Sequence, residues 1–259
     1  MRGVTPAAAA CTLAAAAAAA ACGGTASDDA SVLAVRASDV RQAPACRAGS
    51  RRHLVSSRSA YAAIVRRSAR AYRRPGGRTF ASFGRLNVNG VPTAFAVLDS
   101  VVDARCRATW YHVELPLRPN GVRGYVAARD VELARVTARV AVDLSQRRVT
   151  LYRRGRKVLS SIAAVGAPAT PTPTGRYYVN QRLIPADPGG PYGQGAIGIS
   201  AFSPVLTGWP QGGPIAIHGT NAPWSIGHAV SNGCIRVPNG VLRRLWRVVL
   251  VGTPVEIHP

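Results

Sequence analysis

Residues 138–162, ARVAVDLSQRRVTLYRRGRKVLSSI, alternate apolar and polar side chains around two turn signals. Val140, Val142 and Leu144 share one face, and Val149, Leu151 and Tyr152 follow the turn SQRR before RRGRK reverses the chain again. Successive side chains of an extended chain point to opposite faces, so this period of two predicts a hairpin of half-buried strands. The C-terminal half of the chain is therefore read as β.

The flanking segments extend that reading. The prolines of PATPTPTGRYYV (168–179) exclude helix and suit extended chain entering a strand. Residues 185–213, PADPGGPYGQGAIGISAFSPVLTGWPQGG, are rich in Gly and Pro and read as a long loop, either a lid or disordered. Within it Gly193, Gly195 and Gly198 satisfy the letters G-x-G-x-x-G, but no helix pattern follows and no βαβ unit surrounds them, so they are assigned to backbone freedom rather than to a nucleotide. PIAIH (214–218) is a short strand ending on His218. Val241, Leu242, Leu245, Trp246 and Val249 recur at helical spacing with Asn239 placed to cap the helix, and PVEIHP closes the chain as a strand.

On the N-terminal side, from about Tyr61, Val-, Tyr- and Phe-rich runs alternate with the turn signals RPGG, NVNG and RPNG, the spacing of a small all-β unit. In TWYHVEL, Trp110, His112 and Glu114 alternate with Tyr111, Val113 and Leu115, which makes His112 a surface strand residue rather than a ligand.

Residues 1–21, MRGVTPAAAACTLAAAAAAAA, have a charged start, an apolar middle and small residues before Cys22, the layout of an export signal. AAAACGG around Cys22 is similar to a bacterial lipoprotein signal, which implies a membrane tether through a lipidated Cys22. Residues 22–59 then read as a linker. Of the five cysteines, Cys11 leaves with the signal, and an oxidising compartment permits a disulfide between Cys46 and Cys106 that leaves Cys234 free. The expected location is outside the cell, at the outer face of the cytoplasmic membrane or in the wall. The net charge of +22 on such a chain points to an anionic envelope polymer or membrane surface. No basic helix, zinc-finger spacing or aromatic RNA motif speaks for nucleic acid.

The chemistry concentrates in IHGTNAPWSIGHAVSNGCIRVPN, residues 217–239. A thiol of ordinary pKa near 8.5 is mostly protonated at neutral pH, so a nucleophilic Cys234 requires a base or a positive environment. His218 offers the base and Arg236 the charge, and from Pro188 to Val255 there is no Asp or Glu to oppose a thiolate. A carboxylate that orients the imidazole is likewise missing locally, which makes the Gly219 carbonyl the nearest substitute. The amides of Asn232, Gly233 and Cys234 are candidates for an oxyanion hole. Two other readings stand beside this one: a metal site of Cys234, His218 and His228, which matches no zinc spacing, and a buried structural thiol.

HGTNAPWSIGHAVSNGCIRVPN resembles the active-site motif of the L,D-transpeptidases, the YkuD-type catalytic domain: a His-Gly, a spacer, then Ser-x-Gly-Cys-Ile-Arg. TPTPTGRYYV and LSQRRVTLYRRGRKV are similar to that domain's early strands, and WYHVELPLRPNGVRGYVAARDVEL resembles the last strands of bacterial SH3-like domains. The resemblance implies a mainly β chain: a small SH3-like β-barrel at 60–133 serving as wall-docking or spacer module, then a β-sandwich catalytic domain at 136–259 with one short helix after the catalytic turn. It implies Cys234 as nucleophile, His218 as base and Gly219 as its orienting carbonyl. Thr220, Asn221, Ser231, Arg236 and Asn239 fall to the substrate pocket and catalytic turn. Many members have a histidine where this chain has Asn232, which leaves His218 as the base. The implied reaction needs no cofactor or metal and acts on peptidoglycan stem peptides. It forms a thioester with release of D-alanine and then a 3→3 cross-link. An L,D-carboxypeptidase and a non-catalytic peptidoglycan-binding protein are the alternatives.

Overall fold

In a computed structural model, residues 46–259 are described. The export signal at 1–21, Cys22 and the linker as far as residue 45 lie outside the described residues. Among the described residues no helix is long and apolar enough to cross a membrane.

The described residues form two eight-stranded sheets and a two-stranded one. The first contains β1 (Arg51–His53), β2 (Ala60–Val65), β3 (Ser68–Tyr72), β4 (Thr79–Gly84), β5 (Ala94–Val102), β6 (Ala108–Glu114), β7 (Arg123–Ala127) and β8 (Val131–Val136). Its order is β4-β3-β7-β6-β5-β2-β8, with β1 paired to β5, and its pairs are antiparallel. This sheet reaches outside 60–133 at both ends, because Arg51–His53 pairs with Asp99–Val101 and β8 runs on to Val136. The guanidinium of Arg51 pins that first strand on the buried Asp99, and Cys46 is disulfide-bonded to Cys106. His112 sits on β6, half-buried, with Nδ1 3.1 Å from Asp99 and its ring stacked on Tyr125.

The second sheet contains β9 (Ala138–Asp143), β10 (Arg148–Arg153), β11 (Arg156–Ile162), β13 (Gly175–Leu183), β14 (Ala196–Phe202), β15 (Pro214–His218), β17 (Ile235–Arg236) and β18 (Pro254–His258); β12 (Val165–Gly166) and β16 (Ala229–Ser231) form a parallel pair beside it. The hairpin read from 138–162 is β9–β10–β11, with Val140, Val142, Val149 and Leu151 buried on one face. The closing strand β18 lies parallel to β9 and antiparallel to β13, a non-local pairing that joins the two ends of the domain. Among the described residues the chain is mainly β, with the single short α-helix α1 (Asn239–Trp246) after the loop that carries Cys234.

That helix is amphipathic, and Leu242 and Leu245 enter the core formed by Val179, Ile197, Ile199, Ile217 and Val255. Fully burying such a side chain contributes about 1.5–3 kcal/mol, which is what holds an eight-residue helix that would not persist alone. Leu245→Ala is expected to destabilise the protein by about 2–5 kcal/mol through lost burial and a residual cavity; equilibrium denaturation with an unchanged m-value checks it. Asn239 does not cap this helix. The N-cap residue is Pro238, no side chain caps the turn, and the Asn239 carboxamide bonds elsewhere.

The stretch 185–213 is not a single loop, since residues 196–202 form the interior strand β14. It shows no alternation because Ala196–Ala201 are all buried, with Ile197, Ile199 and Ala201 in the second core and Ser200 on the other face bonded to Glu114 of the first sheet. The same contact breaks the pattern of TWYHVEL. Glu114 is buried along with Val113 and Leu115, accepting a hydrogen bond from Ser200 Oγ at 2.9 Å, and burial raises its carboxyl above the ordinary range. Tyr178, fully buried, donates to Ala94 O at 3.2 Å, and Gly252, in the left-handed region at φ +83°, leaves no room for a Cβ against Ala62. The two sheets therefore form one continuous packed body.

Candidate active site

Parallel pairing of β15 with β17 sets Ile217 opposite Ile235 and His218 opposite Arg236. Cys234, the residue before β17, is thereby brought level with Ala216, two residues before the His218 that ends β15. Cys234 and His218 line one cavity of about 400 Å³ together with Tyr192, Ser231, Asn232 and Arg236.

His218 is 3% exposed. Its Nδ1 lies 2.6 Å from the Gly219 carbonyl, which can only accept, so Nδ1 carries the proton and the lone pair is on Nε2. Burial is the main cause that depresses its pKa to about 4, with the Arg236 charge acting in the same direction and the Gly219 bond opposing it. The imidazole is neutral, with Nε2 unprotonated, across the physiological range. A backbone carbonyl does what a carboxylate does in an acid-containing triad, as the acid-free window 188–255 required.

Cys234 is the free cysteine of the described residues and is half-buried. Burial pushes its thiol above the ordinary range, with the Ala216 N–H and Arg236 pulling it down by less. The pair at rest is thus neutral thiol and neutral imidazole. No local acid opposes a thiolate, but desolvation of the sulfur outweighs the arginine.

The turn before Cys234 is held from inside and behind. Ser231 is buried, donates from Oγ to Cys234 O at 2.6 Å and accepts from Gly233 N–H at 3.2 Å. The Gly233 amide, one of the three oxyanion candidates, is thereby engaged within the turn. Thr170 Oγ1 donates to Ser231 O at 2.9 Å and Thr172 Oγ1 to Gly233 O at 2.8 Å. These threonines belong to TPTPTG, where only extended chain was legible. Tyr192, inside the segment read as a loop, sets its ring edge-on to His218 with centroids 4.9 Å apart. Ala216 is a fourth contributor that sequence reasoning missed, since a backbone amide carries no sequence signal.

Thr220, Asn221 and Asn239 do not line the cavity. Asn239 Oδ1 accepts from Thr220 N–H at 2.9 Å and its Nδ2 donates to Thr220 O at 3.0 Å, while Thr220 Oγ1 accepts from Ala222 N–H at 2.9 Å and Asn221 is exposed. The bonds between Asn239 and Thr220 fix the backbone after His218, where a Cβ on Gly219 would strike Asn239 Oδ1. Asn239→Ala is expected to cost about 1–3 kcal/mol, the range for leaving buried backbone polar groups unpaired, measured by denaturant unfolding. His228 is exposed, and among the described residues no three His, Cys, Asp or Glu side chains group as metal ligands.

A thiol and a neutral imidazole that line one cavity are the two groups that cysteine acyl transfer requires. Residues 137–257 match the family described as YkuD, L,D-transpeptidase catalytic domain. YkuD of Bacillus licheniformis is 40% identical over 121 residues, covering 47% of this chain and 66% of that protein. YkuD of Bacillus subtilis is 37% identical over 119 residues, with 46% and 65% covered. The chain thus spans just under two thirds of the length of these relatives. Among solved structures, an Enterococcus faecium L,D-transpeptidase is similar at 26% identity over 47% of this chain and 49% of that one, TM-score 0.37. An L,D-transpeptidase from Mycobacterium smegmatis is similar at 15% identity over 76% and 99%, TM-score 0.41.

Proposed function

Residues 137–257 belong to the family of YkuD-type L,D-transpeptidase catalytic domains, and on that premise we propose that the chain is an exported peptidoglycan L,D-transpeptidase working by cysteine acyl transfer. The observation that carries the proposal is His218, a buried neutral imidazole whose Nδ1–H is committed to Gly219 O in the cavity it shares with the Cys234 thiol.

In the first half-reaction Cys234 Sγ attacks the carbonyl joining the diamino acid at stem position three to the terminal D-alanine, and the thiol proton passes to His218 Nε2. The amides of Asn232 and Cys234 receive the charge on the oxygen. Collapse breaks the C–N bond, and the imidazolium protonates the departing D-alanine amine. In the second, the side-chain amine of a neighbouring stem attacks the thioester, His218 takes its proton and returns it to the leaving sulfur. A 3→3 link forms and the enzyme is regenerated. Arg236, the cationic side chain lining the cavity, supplies charge for a carboxylate-bearing stem.

Export signal, lipid attachment at Cys22 and an SH3-like role for the first sheet belong to the same reading. The +22 charge gives the exported chain a long-range attraction to anionic envelope polymers. Mass spectrometry of tetrapeptide muropeptides incubated with the protein tests the reaction. A product lighter than two substrates by one D-alanine supports it. Tripeptide without dimer means that water resolves the thioester, and unchanged substrate rejects the enzyme reading.

A further inference from the structure

One wall of the catalytic cavity is residues 203–213, with Leu206, Trp209, Pro210, Gln211 and Gly213 facing the space that His218 and Cys234 line. The segment closes on itself through Ser203 N–H to Gly213 O at 2.8 Å, and Ser203 Oγ accepts from the amides of Val205 and Leu206. Gln211, Gly212 and Gly213 are all left-handed, with φ of 58°, 78° and 69°. For a glutamine that conformation is unfavourable and persists only where neighbouring groups hold it.

The holding groups come from the first sheet. Arg118, in the turn between β6 and β7, donates to Gly212 O from Nε at 3.2 Å and Nη2 at 3.0 Å, and to Ser203 O, with its guanidinium over the Phe202 ring. Asn120 accepts from Phe202 N–H and donates to Phe202 O, each at 2.9 Å. From the turn between β4 and β5, Asn89 exchanges hydrogen bonds with the Gln211 side chain at 3.2 and 2.9 Å, and both Asn87 and Asn89 donate to Gln181 Oε1. Asn89 also lines a second cavity of about 450 Å³ that opens on Cys234 beside Gln181, Tyr192 and Gln211.

We propose that Arg118, Asn120 and Asn89 are positioning residues for the reaction, holding residues 203–213 as the wall of the catalytic cavity. The first sheet is then part of the catalytic architecture as well as an SH3-like module. The bonds land on loop carbonyls and on a strained glutamine, whereas Tyr178 to Ala94 and Ser200 to Glu114 already join the two sheets elsewhere. Loss of the Arg118 fork therefore frees the wall without parting the sheets. The kinetic consequence rests on the proposed function; the mechanical one does not.

The test compares the full chain with Arg118→Met, Arg118→Lys, Asn89→Ala and, as control, Arg70→Gln on the exposed face of β3. Hydrogen exchange of 203–213 is expected to speed by about 10-fold or more in Arg118→Met and Asn89→Ala as protecting local structure opens, by less in Arg118→Lys, and not at all in the control. For tetrapeptide transfer KM is expected to rise by about 10-fold with kcat within about threefold, the mark of lost uniform binding. Alkylation of Cys234 by a bulky maleimide should quicken in parallel. Unchanged exchange overturns the proposal, and so does faster exchange with wild-type KM and alkylation rate. If the wild type transfers nothing, the assigned reaction fails, while exchange and alkylation still decide the clamp. Arg118→Lys keeps the charge and Asn89→Ala lies in a surface turn, so misfolding of Arg118→Met alone leaves both readouts standing.

Discussion

Cys234→Ala is expected to bring D-alanine release from tetrapeptide stems below detection, a loss of at least about 10³-fold, because in the proposed reaction the acyl intermediate is a Cys234 thioester. Intact-protein mass spectrometry gives the matching readout: wild type incubated with a slowly resolved stem analogue gains the acyl mass and the variant does not. Cys234→Ser should fare little better, since a hydroxyl is a far weaker nucleophile for the same imidazole. Turnover retained by Cys234→Ala would remove the thiol from the mechanism. The resting state adds a further expectation. Burial holds the sulfur protonated, so the free enzyme should react sluggishly with iodoacetamide at neutral pH and faster as pH rises above the usual thiol range. Slow labelling is thus compatible with the proposed reaction, in which the proton leaves sulfur only as the carbonyl is attacked.

His218 produces the second large effect. Its removal, as His218→Gln, should lower kcat/KM by about 10²–10⁴-fold, the usual worth of a positioned general base. The pH profile is more diagnostic. With the imidazole depressed to about 4, the acid limb of kcat/KM is expected near that value, leaving activity at pH 5.5 close to that at pH 7. An inflection near 6.5 would show an imidazole exposed to water. Stability should follow the same group. Between the unfolded value near 6.5 and the folded value near 4 the unfolded chain binds the proton and the native state does not, so stability falls as pH falls through that window. At 1.36 kcal/mol per unit, the total is on the order of 3 kcal/mol, with no further loss from this group below about pH 4. Denaturant unfolding of wild type and His218→Gln across pH 4–7 should show the slope in the first and its absence in the second.

Sequence by itself determined the elements whose pattern is local. The hairpins of 138–162, the strand PIAIH, the helix seeded by Leu242 and Leu245 and the closing strand all follow from alternation or helical spacing, because one face of each meets the core. The His-Gly and Ser-x-Gly-Cys-Ile-Arg words were legible for the same reason, being contiguous chemistry. Tertiary structure decided what depends on two faces at once. Residues 196–202 are a strand because both sides are buried, which erases the period of two, and Glu114 is buried because Ser200 arrives from the other sheet. Asn239 serves the backbone of Thr220 instead of its own helix, since that backbone passes within hydrogen-bonding distance. Thr170, Thr172, Tyr192 and Ala216 surround the Cys234 loop through parallel pairing and loop closure, relations between distant segments that no local spacing encodes. The protonation of the Cys–His pair belongs to the same class. Residue types named the partners, but desolvation by the folded core set the charge each carries at rest.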